Sequence, residues 1–167
     1  MIEVQLTQGK IALIDDIDAD LAKFKWCYHY IHSENCYVER KFNKKNYYMH
    51  RVILERMLSH PIDAGMFSDH INGNGLDNRR SNLRIVTQSQ NQHNRKRNAK
   101  NRSSIYKGVT KINENKWIAK IKFDRLQREI GTFETEIDAA MAYDQAARIQ
   151  FGEYARLNFQ SPCTTVW

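Results

Sequence analysis

Between Arg79 and Lys111 the chain carries ten Lys or Arg residues and no Asp or Glu. The densest part is Arg95-Lys96-Arg97-Asn98-Ala99-Lys100-Asn101-Arg102. A block of one sign repels itself unless a polyanion offsets it. It reads as a basic linker, residues 95–103, between two foldable parts, residues 1–94 and 104–160. A chain of 167 residues suits one or two small domains.

The net charge of +7 follows largely from this block, and a phosphate backbone is the polyanion that fits it. The alternatives are a solvated basic loop or acidic lipid heads, and no amphipathic membrane helix accompanies the block. Hydrophobic residues at 41% and charged residues at 27% make a foldable chain rather than a disordered one. No stretch approaches the roughly 18 apolar residues of a membrane span. The start, Met1-Ile2-Glu3-Val4-Gln5, lacks the basic and apolar regions of a signal peptide, so a cytoplasmic location is expected, within whichever cell makes the protein. Cys27, Cys36 and Cys163 contain no C-x-x-C pair and suggest neither a disulfide framework nor a cysteine zinc site.

Residues 1–65 show short alternating runs, Val4-Gln5-Leu6 and Lys10-Ile11-Ala12-Leu13-Ile14. A turn or cap at Asp15-Asp16 opens a short helical segment near 17–24. Strands are expected at 26–31, 36–42 and 47–50, with turns at Ser33-Glu34-Asn35 and at 43–46. Residues 51–58 are apolar at helical spacing and stop before Pro61. Residues 66–94 set polar turn-formers between two apolar runs, Gly65-Met66-Phe67 and Leu83-Arg84-Ile85-Val86. Beyond residue 104, strands are expected at 105–112, 116–123 and 128–133, with turns at 113–115 and 124–127. Thr135-Glu136-Ile137-Asp138 has the form of a capping box opening an Ala-rich helix to about Phe151, and Gly152 stands where a C-terminal glycine belongs. Three strands and one helix cover only one face of their sheet, leaving the other polar and open to a partner. The fold class is α+β.

The segment from Phe67 to Arg84 holds the groups that phosphodiester hydrolysis needs. A divalent cation must neutralise charge on the phosphate, and a base must activate water. Carboxylate and amide oxygens suit Mg²⁺, which keeps several of its waters. Histidine titrates near 6.5, and its second ring nitrogen needs a partner to fix the tautomer. Asp69 and His70 are adjacent, so on a strand they point apart unless the backbone turns. Gly73 and Gly75 permit a tight return that brings Asn82 within reach of His70, and residues 88–94 can form a short helix carrying a further amide.

Asp69-His70, then Asn-Gly-Asn, Leu-Asp-Asn-Arg, Asn82-Leu-Arg, Thr87-Gln and Asn91 resemble the HNH nucleases, in particular those of phage homing endonucleases. The resemblance implies a ββα-metal site in which Asp69 and Asn91 hold Mg²⁺, or another divalent cation such as Mn²⁺. His70 is then the general base and Asn82 the residue that orients it. Helix phase leaves Asn94, or His93, open as the last ligand in place of Asn91. Met49-His50-Arg51 resembles the stretch upstream of this motif, where the histidine is supportive. His29, His32 and His60 fit no such spacing and default to structural or surface roles.

Residues 104–159 resemble a second family. Tyr106-Lys107-Gly108-Val109, residues 116–121, Ile130-Gly131-Thr132-Phe133, residues 139–144 and Leu157-Asn158-Phe159 follow the Apetala/ethylene-response-factor DNA-binding domain. That resemblance implies a three-stranded sheet in the major groove with a helix behind it. Lys107, Lys111, Lys120 and Lys122 are the expected contacts there, joined by Arg95, Lys96, Arg97, Lys100 and Arg102 of the linker. Thr110, Ile112 and Glu114 depart from the plant pattern, so the plant preference for GC-rich sites is not carried over. Trp117 suits core packing at least as well as DNA contact, and Ala139, Ala140, Ala146 and Ala147 read as helix–sheet packing. Together these readings describe a site-specific, metal-dependent endonuclease acting on double-stranded DNA, as a monomer or homodimer with no obligate protein partner. The rival is a DNA-binding regulator that does not cut.

Overall fold

The computed structural model describes residues 1–32, 35–94, 103–124 and 126–159. Its contacts divide the chain into two compact units, Met1–Gln92 and His93–Trp167. Both mix helix and sheet, as the α+β expectation requires.

The first unit opens with the antiparallel hairpin β1 (Ile2–Gln5) and β2 (Ile11–Ile14). Residues 16–23 form 3-10 turns rather than an α-helix, kinked at Asp18, whose carboxylate is wholly buried. A meander follows: β3 (Cys27–His32), β4 (Asn35–Phe42) and β5 (Lys45–Tyr48). Residues 33 and 34, part of the expected first turn, lie outside the described residues. The second turn shrinks to Asn43-Lys44, both at positive φ (48° and 61°), the geometry that joins twisted strands with two residues. Helix α1 (Met49–Leu58) therefore starts two residues before the apolar spacing suggests, and the expected strand over 47–50 ends at Tyr48. It buries Met49, His50, Ile53 and Leu54, and Ser59 closes it in the left-handed region before Pro61. Val4, Ala12, Ile14, Trp26, Val38 and α1 build one core under these elements.

Two further strands, β6 (Met66–His70) and β7 (Leu83–Thr87), pair antiparallel, with His70 opposite Leu83 and Asp69 opposite Arg84. Helix α2 (Gln88–Asn94) follows directly.

In the second unit, β8 (Val109–Asn113), β9 (Lys116–Phe123) and β10 (Leu126–Phe133) form a sheet with β9 central, packed on α3 (Glu136–Phe151). Arg125, in the expected last turn, lies outside the described residues. Thr135 caps α3 by accepting the Asp138 amide at 3.1 Å, and Gly152 ends the helix. Residues 105–108 turn instead of extending the first strand. Gly108 sits at φ +79°, and a Cβ there would stand 1.9 Å from the Tyr143 ring. Buried Asp144 accepts the amides of Asn158 and Phe159, and Asn158 in turn brackets Lys107, with its Oδ1 2.6 Å from the Lys107 amide. These bonds tie together the separated short motifs of this unit.

Candidate functional site

The strand β6 ends on two polar side chains that are both buried, Asp69 at 8% exposure and His70 at 5%. Adjacent strand residues point apart, and these do. Asp69 meets its cross-strand partner, whose Arg84 Nε and Nη2 lie 3.0 and 2.9 Å from Oδ2. The His70 ring meets His50 of α1 in an edge contact, centroids 4.9 Å apart. Tyr37 of β4 lies against both, at 5.2 Å from His50 and 6.3 Å from His70, and Tyr48 of β5 is 5.9 Å from His50.

Nε2 of His70 lies 3.3 Å from Oδ1 of Asn78. An amide oxygen accepts, so Nε2 carries the hydrogen and Nδ1 keeps its lone pair. Burial pushes the His70 imidazolium down from the ordinary histidine range, against the opposing pull of the Asn78 bond, Asp69 and Asp77. The ring is therefore neutral near pH 7, the form a base requires.

The loop over residues 71–82 is held by its own asparagines. Asn82 Oδ1 accepts the Asn72 amide at 3.0 Å, while its Nδ2 donates to Asn72 Oδ1 at 3.1 Å and to the Asp77 carbonyl at 2.7 Å. The Asn82 side chain thus ties the two ends of the loop together, and Asn78, which is wholly buried, reaches the His70 ring. Asp77 accepts both Arg79 nitrogens at 2.7 Å, which holds its carboxyl below the usual range. Strand β2 clamps the loop from outside, through Leu13 N to Leu76 O and Asn78 N to Leu13 O, each 2.8 Å. Arg80 is fixed by Asp15 at its backbone and by Asp18 at its guanidinium. Gly75 packs so closely on β4 that a Cβ would fall 1.8 Å from the Cys36 carbonyl oxygen.

His50 is 6% exposed, and its Nδ1 is the one buried side-chain polar atom without a hydrogen-bond partner among the described residues. Burial, with His70 and Arg51 adding repulsion, pushes it down to about 3. Between pH 3 and 6.5 the unfolded chain then binds a proton that the folded chain refuses. The stability is present above pH 6.5 and is lost as pH falls toward 3. At pH 4.5 the expected loss is about 2–3 kcal/mol relative to pH 7. Urea titrations at the two pH values read it, and a His50→Phe variant that keeps the same difference would remove His50 as its source.

Asn91 stands half-buried on α2, and Asn94 is buried near its end. His93 begins the second unit, where its ring stacks on Phe151 at 3.9 Å. Among the described residues no three of His, Cys, Asp and Glu come together as a metal-binding group. One carboxylate and one amide carbonyl, Asp69 and Asn91, match the chemistry of a hard cation that keeps most of its waters rather than that of a structural zinc. His29 stands opposite Tyr37 in the β3–β4 register and pairs with Glu39 at 3.0 Å, and His60 contacts the Pro61 carbonyl.

In the second unit the four lysines separate. On β9, Ala119 and Ile121 are buried with the helix, so Lys120 and Lys122 stand on the opposite face. Lys111 is registered with Trp117, its Nζ 5.7 Å from that ring, on the helix side at the sheet edge. Trp117 packs in the core with Val109, Ala119 and Ala139. Lys107 is partly buried, its ammonium donates to the His93 carbonyl, and burial pulls it down to about 8. Arg95, Lys96, Arg97, Lys100 and Arg102 lie outside the described residues.

Sequence reasoning did not single out Asn78, Tyr37 or the close approach of Gly75 to β4. The register of β6 on β7 adds the Arg84 contact, since pairing His70 with Leu83 places Arg84 opposite Asp69.

A sequence model of the family described as HNH endonuclease matches residues 47–93. An uncharacterized HNH endonuclease of Acanthamoeba polyphaga mimivirus is 35% identical over 138 residues, covering 83% of this chain and 68% of that protein. Dehydration-responsive element-binding protein 2A of Oryza sativa subsp. indica is 39% identical over 66 residues, 38% of this chain and 24% of that protein. Dehydration-responsive element-binding protein 2D of Arabidopsis thaliana is 43% identical over 60 residues, 35% of this chain and 29% of that protein. The chain therefore spans about a quarter of the length of these plant relatives.

Proposed function

This chain belongs to the HNH endonuclease family, and from that premise we propose that it is a site-specific, metal-dependent endonuclease of the homing type, acting on double-stranded DNA. A phage or other mobile-element origin accords with that reading. The observation that carries the chemistry is the His70 ring, buried and neutral, with Nε2 turned to Asn78. Nδ1 of His70 takes a proton from the water that attacks phosphorus. Asp69 and Asn91 would hold Mg²⁺ or Mn²⁺. When bound, such an ion would supply charge neutralisation for the phosphodiester being hydrolysed. Asn82 keeps the loop closed, so that Asn78 stays against the ring. His50 and Tyr37 limit the ring's rotation from behind.

Binding is assigned to the second unit and to the basic linker. The face of β9 that carries Lys120 and Lys122 supports docking on DNA, in line with the likeness to the element-binding plant proteins. Lys111 stands at the sheet edge, and Lys107 acts in holding the turn before β8.

Incubating the full chain with a supercoiled plasmid library, with Mg²⁺ and with EDTA, tests the proposal. Nicked or linear product that forms only with the metal is the expected result. Binding without cutting, over a broad range of sequences and metals, would transfer the protein to the regulators.

The seat of Gly75 gives a separate prediction. Gly75→Ala must push residues 74–78 off β4, and a displacement near 1 Å in a catalytic loop costs about 10²-fold in rate. Plasmid cleavage at matched protein and metal concentrations measures it. Full activity in the variant would mean that contact with β4 does not position the loop.

A further inference from the structure

Strand β4 alternates, and its two faces serve different ends. Tyr37 faces the histidines, whereas Arg40 and Phe42 point the other way and share that face with Tyr47 and Lys45, their partners on β5. On this second face lies a cavity of about 380 Å³, based on Trp26 and Val52 and rimmed by Phe24, Arg40, Phe42 and Tyr47. Phe24, Phe42 and Tyr47 stay 41%, 52% and 40% exposed. The Arg40 guanidinium lies between two rings, 4.1 Å from the Phe24 centroid and 5.1 Å from that of Phe42. None of these groups has a part in the catalytic reading above.

The charge around the groove has one sign. Residues 40–54 carry five cations and no carboxylate, and Lys23 and Lys25 flank Phe24. The carboxylates nearest in sequence are engaged: Asp18 and Asp20 by Arg56, Glu39 by His29, and Glu55 by Arg51. Flat aromatic rims beside lysines that form no ion pair among the described residues match a ligand with a planar π face and an anionic tether. The cavity is near the lower end of the size range for ligand sites and holds one or two bases rather than a duplex. A paired base hides its face in the stack, so a duplex would leave these rings unused.

We propose that this groove binds an unpaired nucleobase of single-stranded DNA, stacked on Phe42 and Tyr47, with Lys44 and Lys45 on the adjoining phosphates. The inference rests on the reading that the substrate is DNA, but it concerns binding and not cleavage. A failure to cut plasmid leaves it standing, and its own failure leaves the nuclease reading untouched.

The test uses the full chain in EDTA with three labelled probes: a twelve-residue oligothymidylate, an abasic oligonucleotide of equal length and a twelve-base-pair duplex. Wild type is expected to hold the oligothymidylate about tenfold more tightly than the abasic strand, the size of one base–aromatic stack. Phe42→Ala with Tyr47→Ala should abolish that difference and leave duplex binding unchanged, while Phe42→Trp should preserve it. Equal affinity for the abasic strand would overturn the proposal, as would a double variant that binds oligothymidylate like wild type. Parallel loss of duplex binding would also overturn it, by showing that the rings serve the fold. Retained oligothymidylate binding with loss of affinity for anionic phosphatidylserine vesicles would give the groove to a lipid surface instead.

Discussion

Replacing His70 with alanine is expected to slow Mg²⁺-dependent plasmid cleavage about 10³-fold, roughly 4 kcal/mol of transition-state stabilisation. In the proposed mechanism His70 is the base, held neutral by burial, with its tautomer set by Asn78. Without the ring, the attacking water must lose its proton to bulk solvent. DNA affinity should change little, because the cations expected to meet phosphate are Lys120, Lys122 and the linker residues. Gel-shift and cleavage assays on one preparation separate the two quantities. A variant that cuts within about tenfold of wild type would remove His70 as the base, since a positioned base contributes at least about 10²-fold. Asn78→Ala should fall between the two, because it frees the tautomer and leaves the ring.

Asp18→Ala is expected to lower the stability of the first unit by about 3 kcal/mol, the low end for breaking a buried ion pair. Asp18 is fully buried and accepts Arg80 at 2.7 and 3.0 Å and Arg56 at 3.3 Å. The loss leaves two guanidiniums without their shared partner. Both arginine side chains are about a third exposed, 34% and 28%, so water relieves part of the penalty. Urea unfolding should show the midpoint falling by about 1–2 M at unchanged slope. Asp18→Asn keeps the shape and should cost about half as much. Cleavage should weaken as well, because Arg80 anchors the chain two residues before Asn82. An unchanged midpoint would mean that the pair only balances its own desolvation.

Much of the second unit was legible from residues alone. The Thr135 cap, the Gly152 terminus and the alternation on β9 are local features, and they appear where the spacing put them. The first strand was read too long because Gly108 is needed for its close approach to Tyr143, a contact 35 positions away in sequence. At the candidate site, the Asp69-His70 pair, the glycine-bearing return and the two apolar arms were visible. The division of labour among the asparagines was not. Asn72, Asn74, Asn78 and Asn82 are chemically alike, and only the closed loop decides that Asn78 meets the imidazole while Asn82 bonds to Asn72 and the Asp77 carbonyl. Residues 1–48 lie outside the motif, yet Leu13, Asp15, Asp18, Cys36 and Tyr37 all bear on the loop or the histidines.

The sequence by itself determined what depends on neighbours in the chain: turn chemistry, helix caps, strand alternation and the segregation of positive charge between Arg79 and Lys111. Tertiary structure alone decided which nitrogen of His70 carries its hydrogen, which carboxylate holds Arg80, and which face of β4 meets the histidines. Each of those outcomes is a contact between residues far apart in sequence, selected by core packing. Propensity and periodicity describe only near neighbours and are silent on such contacts.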